Sequence, residues 1–514
     1  MDLRASASAP GKLILFGEHA VVYGHTAVAA ALSSMRVLVD VCLAPAVFEE
    51  DDLLEATLHD LPSASADRPV HVCLRFSQLS RAMGAHTAIG EVSKWRSPCP
   101  PDSVAIAQFG ELLGELAESD RIALVPLLFL VASLLPQLVA MEPDRFRGKL
   151  TIDVRSAGLP VGAGLGSSAA FSVALSAALL RLQLQLSASA SNASSPCAEG
   201  VSSEVASLAS CDAAPPIVLH DGASQVPSLE PSSIAKELIN KWAYYAECIL
   251  HGTPSGLDNS VSCSGGGMRL SKPKGGSDGG SDRAGVLSFS PIASLPEITV
   301  LLTNTRVPRS TRELVARVRR LHESQTAITQ PIFSAIAAIA QTFLDLCEKH
   351  VANGASCSSG TVTPEMVCAE TENDPRTSLA TKLPMLVRAN HGLLVSLGVS
   401  GVELDDVVST SASEGLATKL TGAGGGGCAL SIVGVGKITV AAAAAASRAK
   451  RKLEAKGYEC YMTAVGGSGV LWHTPTNKPA FVDYRTHKSG NFPFAVATAV
   501  LALATLVCVR TVWK

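Results

Sequence analysis

The segment Pro160-Val161-Gly162-Ala163-Gly164-Leu165-Gly166-Ser167-Ser168-Ala169-Ala170 sets three glycines before small residues that can open a helix. A helix start presents unpaired N–H groups and a partial positive charge, which suits a phosphate. The hydroxyls of Ser167 and Ser168 can add contacts to phosphate or to a metal-bound oxygen. No Gly-Lys-Ser/Thr follows, so this is not a Walker A loop. The third glycine comes one residue early for a dinucleotide fingerprint. A plain strand-to-helix turn fits the same residues, so both readings stand at this point.

A second loop, Thr421-Gly422-Ala423-Gly424-Gly425-Gly426-Gly427-Cys428, has five glycines in six positions between the apolar runs Leu416–Leu420 and Cys428–Val433. So little side chain implies close approach by a backbone or a ligand, in a structured loop rather than a linker. Near the start, Pro10-Gly11-Lys12-Leu13-Ile14-Leu15-Phe16-Gly17-Glu18-His19 sets polar residues at both ends of an apolar strand. Lys12 alone reads equally as a surface lysine, and Glu18 and His19 as turn residues. His251-Gly252-Thr253-Pro254-Ser255-Gly256-Leu257-Asp258-Asn259 gathers ionisable and hydroxyl groups in a loop shaped by Pro and Gly. Asp258 is a candidate base there, or a carboxylate bonded to its own loop. Glu247 lies opposite the helical stripe Ile234, Leu238, Trp242, Tyr245 and Ile249, so it reads as solvent-exposed.

The elements that must carry these residues come from pattern. Residues 5–45 read as two strands and a turn, and 150–154 (LTIDV) as a strand leading into the 158–166 turn. Helices follow over 167–186 and 234–249, the latter capped by Ser232 or Ser233. Residues 298–305 read as a strand and 311–347 as a helix, with further helices to about Ala417. A strand at 428–434, a helix at 439–455 and a strand at 460–465 close the pattern. Residues 46–100 carry no clear element. The Ser/Ala-rich stretch 187–233 reads as a flexible insertion, the Gly/Ser-rich stretch 272–285 as a linker or long hairpin at a candidate domain boundary, and the stretch 351–375 as a loop. Helices and strands interleave without βαβ regularity, which favours an α+β fold.

Composition limits the function classes. The 514 residues are 47% hydrophobic and 17% charged, too apolar for disorder and enough for two to four packed units. A net charge of −3 offers no field for a nucleic acid. Thirteen cysteines without Cys-x-x-Cys spacing indicate reduced thiols in a cytoplasmic setting, and the first ten residues have no apolar run for secretion. Two uncharged stretches are membrane candidates. Ile122–Met141, broken by Pro126 and Pro136, reads as a buried core helix. Phe492–Val509, flanked by Arg485, His487 and Lys488 on one side and Arg510, Trp513 and Lys514 on the other, reads as a membrane anchor.

Taken together, SAPGKLILFGEHAVVYG (8–24), LPVGAGLGSSAAFS (159–172), INKWAYYAECILHGTPSGLDNSVS (239–262), LLTNTRVPRSTRELV (301–315) and KLTGAGGGGCALS (419–431) resemble the GHMP kinases, in family order across nearly the whole chain. Within them, the combination GEHAVVYG, HGTPSGLDN and TNTRVPRSTR is similar to the members that phosphorylate mevalonate. The resemblance implies a two-lobed α+β fold, with a ribosomal S5 domain 2-like lobe over 1–285 and a ferredoxin-like lobe over 286–475, followed by a tail.

The resemblance also implies roles. Gly162, Gly164, Leu165, Gly166, Ser167 and Ser168 would wrap the ATP phosphates, with Mg²⁺ on Ser168 and Glu247. Asp258 would take the proton of the attacking C5 hydroxyl, with Lys12 beside it. Glu18, His19 and Ser255 would line the substrate pocket, and Gly422, Gly424, Gly425 and Gly426 would lie near the active site. Arg309 is a candidate for the mevalonate carboxylate, because a planar guanidinium matches it in two hydrogen bonds. A homodimer is expected by resemblance alone. The rival functions are a sugar 1-kinase of the same superfamily and a non-catalytic, membrane-tethered isoprenoid sensor; intact Lys12, Ser168, Glu247 and Asp258 argue against the sensor.

Overall fold

Two long runs of small and apolar residues, β1 (Leu3–Phe16) and β2 (Ala27–Pro45), form the central antiparallel pair. Their near-continuous apolar character is what strands covered on both faces require. In the computed structural model the described residues are 2–45, 52–58, 70–75, 96–139 (102 and 115 aside), 148–191, 207–218, 225–271, 288–355 (294 aside) and 378–474. Among them are fourteen linked strands. The others are β3 (Asp52–Leu58), β4 (Val70–Arg75), β5 (Gly148–Ala157), β6 (Cys211–Val218), β7 (Gln225–Pro231), β8 (Gly267–Ser271), β9 (Ser288–Ile292), β10 (Ile298–Asn304), β11 (Ala417–Leu420), β12 (Cys428–Val435), β13 (Glu459–Val465) and β14 (Leu471–His473).

The main path runs β11-β12-β10-β13-β2-β1-β14-β7-β6. Its first four strands form an antiparallel unit that meets β2 through one pair, Val465 with Leu32. The last described strand, β14, returns to the edge of β1 through Ser6–Ser8. Register shifts between Pro10 and Lys12 and between Ile14 and Phe16 bend β1 on either side of Lys12. Such bulges re-aim side chains beside a site.

The helices of eight or more residues among the described residues are α1 (Ser103–Leu112), α2 (Glu118–Leu134), α3 (Ser167–Ser191), α4 (Ser233–His251), α5 (Leu257–Ser264), α6 (Thr311–Ser324), α7 (Thr326–Ala355), α8 (Leu379–Ser396), α9 (Val402–Ser413) and α10 (Val440–Ala455). The apolar segment near residue 122 is a core helix as expected: Leu124, Leu127, Leu128, Leu130, Val131 and Leu134 of α2 are buried. Helix α3 is also long and apolar enough to cross a bilayer, yet 83% of that span is buried inside the protein. The helix expected over 311–347 is two helices, because at Gln325 the backbone extends to φ −139° and its N–H closes on Leu321 O.

Two readings need correction. The Ser/Ala-rich stretch 187–233 includes the end of α3 and the hairpin β6–β7, so its described part is structured. Periodicity missed the hairpin because β7 is ordered by a distant partner: Leu229 and Ser228 pair with Trp472 and His473. The stretch 46–100, left without an element, contains β3 and β4, which extend the sheet through β5. The stretches 272–285 and 476–514, including the anchor expected at Phe492–Val509, lie outside the described residues.

Candidate active site

Lys12 leaves the bent part of β1 with its amide donating to Leu165 O at 2.8 Å, so the strand lies directly against the first glycine loop. Its ammonium stands 3.2 Å from Asp258 Oδ1. Asp258 is in the first turn of α5, a helix end that favours negative charge. The lysine side chain is 9% exposed and the aspartate 40%, so the pair presents a carboxylate to solvent from an anchored cation.

Beside this pair, Ser168 opens α3 and Glu247 closes on it from α4. Ser168 Oγ donates to Glu247 Oε2 at 3.2 Å, and Ser172 Oγ donates to Oε1 at 3.0 Å. Glu247 is 3% exposed, against the expectation of a solvent-facing residue. The small Ala243 and Ala246 extend the buried face of α4 beyond the Leu238/Trp242 stripe, while Ile234 is exposed. Burial raises the Glu247 carboxyl to about 7, with the Asp258 charge adding to the rise and Ser172 and Ser168 opposing it. His251, one turn further on, reaches Ser168 Oγ at 3.1 Å and Glu247 Oε2 at 3.7 Å.

The first glycine loop meets Lys12 and Arg309 where no side chain fits. A Cβ on Gly166 would come 3.0 Å from Lys12 Cγ, and one on Gly164 only 1.4 Å from an Arg309 amino nitrogen. Arg309 donates from Nη2 to Ala163 O at 3.3 Å and from Nη1 to Thr421 O at 3.2 Å. Its guanidinium is thus a joint between the two glycine loops, which does not support the carboxylate-binding role expected of it. The close approach expected at the second loop is by the protein itself: Cβ atoms on Gly424 and Gly426 would strike Val399 O and Val307 O.

Glu18 departs further from expectation. Its carboxylate is fully enclosed, ion-paired to Lys419 and accepting from Asn390 Nδ2 at 3.2 Å. In this structure both of its oxygens are taken by protein partners. Burial pushes Glu18 up and Lys419 down, and their mutual attraction opposes both shifts. His19 Nε2 lies 2.9 Å from Ala423 O and is 6% exposed. Since a carbonyl only accepts, Nε2 carries the proton of a neutral ring that burial keeps below its ordinary pKa. Ser255 is exposed, its Oγ accepting from Leu257 N at 3.3 Å at the entry to α5. Sequence reasoning missed Lys419, Asn390 and Ser172. For Lys419 there was a signal: a lysine inside the run Leu416–Leu420 that otherwise reads as apolar.

The arrangement therefore has an anchored cation on a carboxylate, a glycine-rich helix start, and a buried hydroxyl–carboxylate pair. The family model for the N-terminal domain of GHMP kinases matches residues 133–210, which include the first glycine loop and Ser168. The mevalonate kinase of Mus musculus is 33% identical over 467 residues, covering 91% of this chain and 94% of its own. This chain belongs to the mevalonate kinase family. The Homo sapiens member is 31% identical, covering 91% of this chain and 95% of its own, and the Saccharomyces cerevisiae member is also 31% identical. The fold agrees with a solved family member, the L. major mevalonate kinase in complex with R-mevalonate, at a TM-score of 0.51 and 18% identity over 90% of this chain and 96% of the other.

Proposed function

We propose that this family member transfers the γ-phosphoryl group of ATP to the C5 hydroxyl of mevalonate. The hydroxyl oxygen forms the new P–O bond, the bond from the γ-phosphorus to the β,γ-bridging oxygen breaks, and ADP leaves. The hydroxyl proton passes to Asp258. The observation that carries this reading is the 3.2 Å Lys12–Asp258 pair set beside the glycine-rich start of α3. Phosphoryl transfer asks mainly for positioning and charge neutralisation. Lys12 places a positive charge beside the carboxylate and the alcohol oxygen, where charge shifts during transfer. The N–H groups opening α3, with Ser167 and Ser168, offer donors to phosphate oxygens.

The residues present suit Mg²⁺. Ser168 and Glu247 form an all-oxygen donor set, and a cation would favour the charged form of Glu247, which burial disfavours most and the Asp258 charge disfavours further. Bound there, the ion would neutralise phosphate charge. In this reading His19 and Ser255 would contribute to the substrate pocket, as the resemblance implies. A coupled ADP-release assay offering mevalonate, galactose and homoserine tests the reading. Turnover with mevalonate alone is expected; a preference for galactose or homoserine would overturn it.

Assembly and location rest on sequence and resemblance. The two-lobe division near residue 285 and a homodimer follow the family resemblance. The catalytic part is cytoplasmic in this reading, with Phe492–Val509 as a tail anchor. Eighteen residues span ~27 Å as a helix, near a ~30 Å hydrocarbon core. Full-length protein is then expected to resist carbonate extraction while a 1–480 truncation is soluble and equally active; a soluble full-length protein would dismiss the anchor.

A further inference from the structure

Lys419 and Glu18 have no solvent exposure in their side chains, and they come from opposite parts of the chain. Burying an ion pair rarely adds net stability over an apolar pair of the same size, so its position calls for another account. Glu18 lies between the end of β1 and His19, a non-glycine residue held at φ +60°. Lys419 lies on β11, two residues before Thr421. From there three further contacts tie the second glycine loop to the front of the molecule. Thr421 Oγ1 donates to Ile14 O at 2.9 Å, His19 Nε2 meets Ala423 O at 2.9 Å, and Thr421 O accepts from Arg309. Ile14 is two residues along β1 from Lys12, and Arg309 bridges to the first glycine loop at Ala163.

We propose that Lys419 is a positioning residue for phosphoryl transfer, its buried pair with Glu18 setting the second glycine loop in register with the strand that bears Lys12. Neither residue touches the reacting atoms. The pair acts by direction: an ammonium in a closed interior must meet its carboxylate, whereas an apolar pair of equal volume could slide. Asn390, donating to the other carboxylate oxygen, fixes the orientation of Glu18. The lysine stem also runs near the face of Phe16, its ammonium 5.9 Å from the ring centroid at the end of β1.

This deepens the kinase reading and rests on it, so turnover of the wild type in the same assay tests that reading separately. Two variants test the positioning role. Glu18→Gln keeps the shape and leaves a lysine that burial can discharge; the double variant Glu18→Gln/Lys419→Met leaves no buried charge. Both are expected to fold, the double variant with a thermal midpoint near that of the wild type and Glu18→Gln with a lower one, since it leaves a buried lysine without its partner. In both, kcat is expected to fall ~10–100-fold, the scale of a misplacement of about 1 Å, while KM for each substrate changes less than about threefold. Wild-type kcat in either folded variant would overturn the proposal. So would failure of both variants to fold, since the pair would then be a stability element alone.

Discussion

Lys12 Nζ and Asp258 Oδ1 stand 3.2 Å apart, joining the second turn-bounded segment of β1 to the first turn of α5 across nearly half of the chain. In the proposed reaction this aspartate would meet the alcohol rather than the nucleotide. Asp258→Asn is therefore expected to lower kcat by ~10²–10⁴-fold, the usual contribution of a positioned base. Nucleotide affinity, read by equilibrium dialysis, should stay within a few-fold. Retention of more than half of wild-type kcat would remove Asp258 from the role.

Ser168 and Glu247 are expected to share one metal, so Ser168→Ala and Glu247→Gln should each raise the Mg²⁺ concentration for half-maximal activity at fixed ATP. A proton competes with the metal for Glu247, whose carboxyl lies near 7 because burial disfavours its charge. In the wild type the Mg²⁺ requirement should thus rise as pH falls below about 7, and Glu247→Gln should flatten that dependence. Identical half-saturation in all three proteins would discard the shared site.

Arg309 reaches two carbonyls on two loops at once, which a single ammonium cannot reproduce. Arg309→Lys should lower kcat/KM by about tenfold or more and make the change visible with either substrate. A rise confined to KM for mevalonate, with ATP parameters intact, would restore the carboxylate-binding role.

His473 offers a pH test away from the site. Its Nδ1 faces Pro227 O at 3.4 Å and must donate, so Nε2 accepts from Ser8 Oγ at 2.8 Å. Burial, with the nearby Arg36 cation, depresses the imidazole from 6.5 to about 3. An unfolded chain takes up this proton near 6.5 and the folded one does not. The contribution to stability is therefore complete above about 6.5 and is lost as pH falls toward about 3. His473→Gln should flatten the thermal midpoint across that range; an unchanged slope would show that other groups govern acid unfolding.

Lys12, Ser168 and Asp258 drew attention because they stand in or beside glycine- and proline-rich segments, and only the family resemblance grouped them with Glu247. Their surroundings were harder to read. Glu247 looked solvent-facing because alanines on α4 carry no strong periodic weight. Lys419 was lost within an apolar run, and Asn390 sits mid-helix with no local pattern around it. The strands missed outright, β3, β4, β6, β7, β8, β9, β11 and β14, are short or depend on partners far along the chain. Three residues such as Leu471–His473 cannot show a period of two, and β6 contains Pro215 and Pro216. Glu18 and Arg309 were found by type, but their roles depended on neighbours that only the fold brings together.

The pairing of β14 with β1 has a consequence for biosynthesis. Strand β1 gains its neighbour on that edge only after residues 471–473 have been made. Until then the nascent chain carries an unsatisfied edge beside the segment that holds Lys12, and Arg36 lacks the carbonyls of Ser468 and Gly469 that receive its charge. Such an edge is open to pairing with another chain. Competence thus waits for a closing step that needs residues 471–473, and a product terminated before them is a candidate for aggregation rather than a partly active enzyme.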